Sequence, residues 1–380
     1  MAAFDVSKEW TILLPSDVEH VKKAADDLSR YIGLLSSAMP TAMPTAMPTA
    51  VADGYADGNS KAPLIVDALS ATPEGAIIVL SSGAHDCERN GFSWRAGEDR
   101  VEISGDSGRG LCNGIYSFLA ALGITWPAPG EEKLPVATPG AGSFPLASAG
   151  EFSGARGNES TAKQPPIAHL RRFIPAEGEV KKLLNEGEAF VEWVARLRYD
   201  AIVFPFAVYA SGSNSRKLKQ LRQIAEVYGI TLEAGGRELS SLVPRRHFLF
   251  NRDLFRMDEG KRKKDHHFCP TNPDVTRLIT KESRKIFRFL KEAEVIHLWP
   301  DKGAENSWCS CPTCRAFSAL EQNRIAINVA ADALAALNRA TPREANHVAV
   351  HEVFVSYFEK PGEAGKIPPR KNTFSVKEIP

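Results

Sequence analysis

Apolar positions in this chain recur with two different periods, and the rhythm changes part-way along. Trp10–Leu14 is a short apolar run that reads as a strand, and Pro15-Ser16-Asp17 then supplies helix-start chemistry. Val18, Val21, Ala25, Leu28, Ile32 and Leu35 follow at helical spacing, which predicts an amphipathic helix over 17–36. Strand signals return over 63–66 and 76–80. Residues 92–95 and 100–104, split by Gly97-Glu98-Asp99, predict a hairpin. A helix is expected over 111–122, stopped by Gly123. Together these elements predict a small α+β accessory domain over 1–135. Inside it, Ala-Met-Pro-Thr is repeated over 38–49, and the recurring proline forbids a regular helix or a central strand. Residues 37–60 are therefore expected to form a disordered loop.

Residues 136–165 have the Pro, Gly, Ala and Ser composition of a linker. Beyond them strand and helix alternate. Strands are predicted over 167–174, 201–208, 230–234, 294–299 and 347–357, and helices over 187–198, 215–228, 274–292 and 318–338. A long loop is expected over 235–272. This βα order argues for α/β architecture with a parallel sheet and right-handed crossovers. The expected fold of 166–380 is a partial (β/α)8 TIM-type barrel, since the strands fall short of the eight that close a barrel over about 250 residues.

Composition narrows the function classes. The chain is 43% hydrophobic and 24% charged, with a net charge of +1. No apolar run is long enough to span a membrane, and the first ten residues lack the basic and apolar regions of a secretory signal, so a cytoplasmic protein is expected. The first 150 residues carry an acidic excess and the rest a basic one. A basic second domain could attract an anionic ligand such as a uronate or sulfated sugar, or could simply be a solvated surface. The basic run Lys261–Lys264 has no interleaved aromatics, so no nucleic-acid partner is expected. Gly105, Gly108 and Gly110 do not follow the dinucleotide-binding order, and no nucleotide cofactor is expected.

The candidate chemistry is concentrated between His297 and Cys314. Alternation along Val295–Asp301 puts His297, Trp299 and Asp301 on one side of a strand. A carboxylate just after a barrel strand stands where such folds build active sites. Glycoside hydrolysis needs two carboxyls, and Asp301 is the lead candidate, with Glu305 on the following loop as its partner. The bland alternative is a loop-capping carboxylate. Cys309, Cys311 and Cys314 form a C-x-C-x-x-C cluster, and Cys269 is the natural fourth ligand of a structural zinc, with His266 and His267 as alternatives. Disulfides or free thiols would also account for these residues. Cys87 and Cys112 read as ordinary buried thiols. Arg171 or Arg172, after the first barrel strand, could clamp an anionic group. Tyr209, Trp299 and Trp308 could stack on a sugar ring or belong to the core. Asn272 could bond a sugar hydroxyl or make an ordinary turn before Pro273.

Two stretches carry a resemblance. The run from Gly108 to Gly130, Gly-Arg-Gly-Leu-Cys-Asn-Gly-Ile-Tyr-Ser-Phe-Leu-Ala-Ala-Leu-Gly-Ile-Thr-Trp-Pro-Ala-Pro-Gly, is similar to the end of the accessory domain that precedes the barrel in α-glucuronidases and β-hexosaminidases. Phe268–Val275, Pro300-Asp301, Trp308–Cys314 and Tyr357–Lys371 resemble a bacterial family of glycoside-hydrolase-like barrels that carries the same accessory domain. The resemblance covers nearly the whole chain, and that family extends beyond Pro380. It implies carbohydrate-active chemistry without fixing the sugar; the function expected is carbohydrate binding with glycoside hydrolysis, and the basic second domain points to an acidic glycan. The alternative is a truncated or degenerate relative that binds carbohydrate or a protein partner without chemistry. A half-barrel would need a second copy or a partner to complete it. Arg237 is carried as a substrate-binding candidate by its place after Gly-Gly, although members of the family tend to have a histidine there and this chain departs from that pattern.

Overall fold

The computed structural model describes residues 3–15, 18–37, 62–67, 75–83, 90–136, 143–146, 162–167, 171–176, 178–290, 293, 295–301, 307–340, 352–356 and 373–376. The repeated 38–49 segment, Cys87, Glu305 and 357–371 lie outside these residues. Two compact units emerge. The first comprises Met1–Phe173, Glu186–Ala201 and Gln223–Ile230, and the second Ile174–Asn185, Ile202–Arg222 and Thr231–Pro380.

In the first unit a six-stranded sheet runs in the order Leu64–Asp67, Trp10–Leu14, Ala76–Ser82, Arg100–Gly105, Phe92–Ala96, Ala162–Ile167. The first four strands are parallel. The hairpin partner Phe92–Ala96 and the edge strand Ala162–Ile167 add antiparallel pairings. Ile12, Ile78, Val101 and Ile103 alternate into one core, where the helices Glu19–Ser37 and Gly108–Ala121 present Val21, Leu28, Ile32, Ile115, Phe118 and Leu119. The helical period read from the sequence and the buried face of the first helix thus coincide.

Glycine sets how closely the second helix approaches the sheet. A Cβ on Gly105 would stand 2.1 Å from the backbone nitrogen of Leu111, so strand end and helix start meet backbone to backbone. Ser107 caps that helix, its hydroxyl accepting from the Gly110 N–H at 3.0 Å. Gly123, with φ of +94°, terminates it as its left-handed backbone requires.

Buried polar groups tie the rest of the first unit to this helix. Arg109 donates to the carbonyls of Ala195, Tyr199 and Tyr228, and its Nε lies 3.6 Å from Asp200 Oδ1. Asp200 also accepts from the side chains of Asn113 and Asn90 and from the Arg171 N–H. Nearby, Arg196 forks onto Asp27 with two 3.1 Å bonds, and Arg30 forks onto Glu132. Tyr31 donates to Glu132 and accepts from the indole of Trp126. Paired in this way, these charges are tolerable inside a folded unit.

The second unit is α/β. Its strands neighbour one another in chain order: Ala201–Phe204, Thr231–Gly236, Val295–Leu298, Glu352–Ser356 and Thr373–Val376. The pairings from Thr231–Gly236 onward are parallel. Ala201–Phe204 is buried at every position, so both of its faces are covered. The helices Val180–Glu186, Phe206–Ala210, Pro273–Phe287 and Ala319–Ala340 supply crossovers and flanks. The sheet is open among the described residues, and they form no closed barrel.

Two local expectations need correction. The predicted 201–208 strand ends at Phe204, because Pro205 offers no N–H to a neighbour and starts the helix Phe206–Ala210 instead. The expected 235–272 loop contains short 3-10 turns and the hairpin Met257–Asp258 with Lys261–Arg262. Glu259 and Gly260 at its tip have positive φ values of 48° and 76°, the backbone of a tight two-residue turn. No helix among the described residues is long and apolar enough to cross a membrane.

Candidate active site and cysteine cluster

Three consecutive strand ends of the second unit converge. Gly235 and Gly236 finish the Thr231–Gly236 strand with φ of +108° and +128°, a turn only glycine takes without strain. A Cβ on Gly235 would lie 2.1 Å from the His297 carbonyl oxygen of the neighbouring strand. The Trp299 N–H donates to the Gly236 carbonyl, and the Leu239 N–H donates back to the Trp299 carbonyl. These two bonds stitch the loop after one strand to the loop after the next.

Asp301 follows two residues later. Its Oδ1 accepts from the Ser240 N–H at 3.2 Å, and its Oδ2 lies 3.8 Å from the guanidinium of Arg245. Glu238 stands on the facing loop, and its Oε2 accepts from the Phe206 N–H at 2.9 Å, which comes from the end of the preceding strand. Burial pushes the Glu238 carboxyl above its ordinary value; the Phe206 bond opposes this, and the charge of Asp301 adds to it. Burial pushes the Arg245 guanidinium down, and the charges of Asp301 and Asp265 draw it back.

In the same strands, the ring of His297 meets Glu233 Oε2 at 2.6 Å, both side chains fully buried. Tyr209 donates its hydroxyl to the Glu233 carbonyl at 3.0 Å. His297 and Trp299 touch edge to face at 5.0 Å, as side chains on one side of a strand should.

The remaining candidates are dispersed. Arg171 donates to the Leu197 carbonyl and lies over the ring of Tyr199, within the first unit. Arg237 is exposed beside Glu238. Asn272 caps the helix Pro273–Phe287, its side chain accepting from the Asp274 N–H and donating to the Asp253 carbonyl. Trp308 is buried, stacked on His267 with ring centroids 4.1 Å apart. Of the candidates whose side chains are described, the structure therefore brings Trp299 and Asp301 to one rim. Glu238, Ser240 and Arg245 are additional residues there. None of these three is singled out by the sequence pattern; the place of Glu238 directly after Gly235-Gly236-Arg237 is the signal that could have found it.

The four cysteines do converge. Cys269, Cys309, Cys311 and Cys314 are buried, and their sulfurs all lie within 4.8 Å of one another. Cys269 stands 3.7 Å from both Cys311 and Cys314, far outside disulfide distance, and all four are free thiols. A tetrahedral ion with metal–sulfur bonds of about 2.3 Å has edges of about 3.8 Å, so the cluster has the dimensions of a four-thiolate metal site. The Met257 N–H donates to Cys309 Sγ and the Cys314 N–H to Cys311 Sγ. Hydrogen bonds from Cys309 and Cys314 pull the Cys269 thiol down, while Cys309 and Cys314 are pushed up, chiefly by the same bonds to Cys269.

Gln322 of the long helix holds the cysteine loop in shape. Its Nε2 donates to the carbonyls of Cys309, Cys314 and Phe317, and its Oε1 accepts from the Cys309 N–H. Cys112, by contrast, is an isolated buried thiol, pushed up to about 11 by burial.

Neither a family model nor a curated protein matches this chain. Among solved structures, the chain is similar to the chitobiase of Flavobacterium johnsoniae at 9% identity and a TM-score of 0.44, over 96% of this chain and 54% of that one. The β-N-acetylhexosaminidase of Bacteroides fragilis gives 12% identity and a TM-score of 0.40, over 97% and 65%. An enzyme targeting pectin rhamnogalacturonan II gives 11% identity and a TM-score of 0.43, over 92% and 44%. The chain thus spans between about two fifths and two thirds of the length of these solved structures.

Proposed function

We propose that this chain is the carbohydrate-binding and hydrolytic part of a glycoside-hydrolase-like protein, with its site at the carboxyl ends of the second unit's strands. The observation that carries the reading is Asp301, a partly exposed carboxylate anchored by Ser240 and faced by Arg245 just beyond a parallel strand. Parallel α/β sheets place their chemistry at that end, where loops from successive strands converge. The second unit is read as part of a (β/α)8-type fold, and its basic excess favours an acidic glycan. The cysteine cluster is read as a structural zinc site: its four soft donors complete a tetrahedron and leave no open position for chemistry. Reduced, clustered thiols fit a cytoplasmic location.

The test is hydrolysis by the full-length protein of a panel of nitrophenyl glycosides, neutral and uronic, together with oligosaccharide binding by calorimetry. Wild type should hydrolyse at least one member. Asp301→Asn should lower kcat by at least about 100-fold while retaining binding. Binding without hydrolysis by wild type would favour a non-catalytic relative. One zinc per chain by elemental analysis, lost in Cys269→Ser, would support the metal reading; a metal-free protein with intact thiols would refute it.

A further inference from the structure

We propose that Glu238 is the second catalytic carboxyl of this site and delivers the proton to the departing glycosidic oxygen, with Asp301 as the carboxylate opposite it. This rests on the hydrolase reading above and replaces a local partner on the 302–306 loop with one from the neighbouring strand.

Three observations support it. First, the two acids are held together by backbone. The paired bonds between Gly236, Leu239 and Trp299 fix the two loops in register, and Ser240, two residues beyond Glu238, donates to Asp301. Second, Glu238 is anchored through one oxygen only. Oε2 takes the Phe206 N–H, and among the described residues Oε1 has no partner. Its environment favours the protonated form, because burial and the charge of Asp301 outweigh a single N–H bond. Acid–base hydrolysis divides its labour between two carboxyls in different surroundings, and here one is buried with a single backbone donor while the other faces a guanidinium. Third, the rim contains a buried donor with no acceptor. Trp299 is 5% exposed, and its indole Nε1–H has no partner among the described residues. A buried donor without an acceptor is costly, and a ligand hydroxyl at this rim would relieve it.

Glu238 gives its proton to the glycosidic oxygen, which also receives the electron pair of the breaking C1–O bond and leaves as an alcohol. Water supplies the hydroxyl that ends on C1, either directly or after the Asp301 carboxylate has held that carbon. The remaining proton of that water returns the site to its starting state. One glycoside and one water give two hydroxyl products, and no oxidant or cofactor is consumed.

The experiment compares wild type and Glu238→Gln full-length protein on phenyl and dinitrophenyl glycosides, neutral and uronic, with melting temperature as the folding control. The glutamine retains an acceptor for the Phe206 N–H. If Glu238 is the acid, kcat/KM on phenyl glycosides falls about 100- to 10,000-fold. Dinitrophenyl glycosides, whose leaving group needs no proton, change by less than about tenfold, and the alkaline limb of the wild-type pH profile disappears. An active wild type whose glutamine variant loses equally on both leaving groups, or loses nothing, overturns the assignment and leaves the hydrolase reading intact. A wild type that hydrolyses no member of either series overturns the hydrolase reading, and the role of Glu238 falls with it.

Discussion

Replacing Arg109 with methionine should be among the most damaging single changes in the first unit, and its cost should depend on pH in a defined direction. Arg109 and Asp200 are 5% and 4% exposed. The guanidinium serves the Ala195, Tyr199 and Tyr228 carbonyls at 3.1, 2.6 and 3.3 Å. Methionine fills much of the volume but removes this donor from those carbonyls and the Arg109 charge from beside Asp200. Removing one partner of a buried pair costs about 3–5 kcal/mol. Asp200 can escape part of that cost by binding a proton. Burial already holds its carboxyl above the ordinary value of 3.8, with Arg109 the chief opposing influence. Loss of Arg109 raises it further. A carboxyl whose folded value is raised disfavours folding increasingly as pH climbs from the unfolded value through the folded one. The penalty of Arg109→Met should therefore be smallest near pH 4 and largest at neutral pH. The assay is urea unfolding followed by tryptophan fluorescence at several pH values, with Asp200→Asn and the double variant completing a cycle. A loss below about 1 kcal/mol at pH 7, a penalty that does not grow with pH, or a coupling near zero would refute this reasoning.

Acid sensitivity should also involve Glu132, which Arg30 holds down at about 2 through a forked hydrogen bond. Its depressed value contributes stability above pH 4.5 that is lost as pH falls towards 2, so Glu132→Gln should flatten the acid limb of a melting-temperature profile. Gly235→Ala should drive the strand ends apart at the His297 carbonyl and destabilise the second unit by about 2 kcal/mol or more, measured by denaturant midpoint. Gln322→Leu should leave Cys309, Cys314 and Phe317 without their side-chain bonds. We expect a loss of about 1–3 kcal/mol and faster metal release to a chromogenic chelator; unchanged release would show that the loop holds its shape unaided.

The sequence by itself determined the local elements. In the first unit the helical recurrence from Val21 to Leu35, the strand at Trp10–Leu14 and the stop at Gly123 all stand where the pattern places them, while Val18 precedes the helix and is exposed. Those features depend on side-chain period and on backbone freedom at single positions, both of which are written along the chain. The cysteine cluster was legible for a related reason, since three cysteines spaced by one and two residues on a proline-containing loop are close along the chain itself; that Cys269 joins them was settled by the fold. Tertiary structure decided the rest. Ser240 and Asp301 are 61 residues apart, and only the pairing of their strands brings them together with Glu238. A pattern that runs along one strand shows the loop after that strand, where Glu305 lies, and not the loop of a neighbouring strand. The same limit applies to Asn113 and Asp200, separated by 87 residues and joined across the packed first unit. It applies equally to Trp308, an aromatic near a strand end whose stacking on His267 is fixed by how two distant loops fold over each other. Periodicity reveals which face of an element is buried; which residues meet across that face is set by the register and packing of elements far apart in the chain.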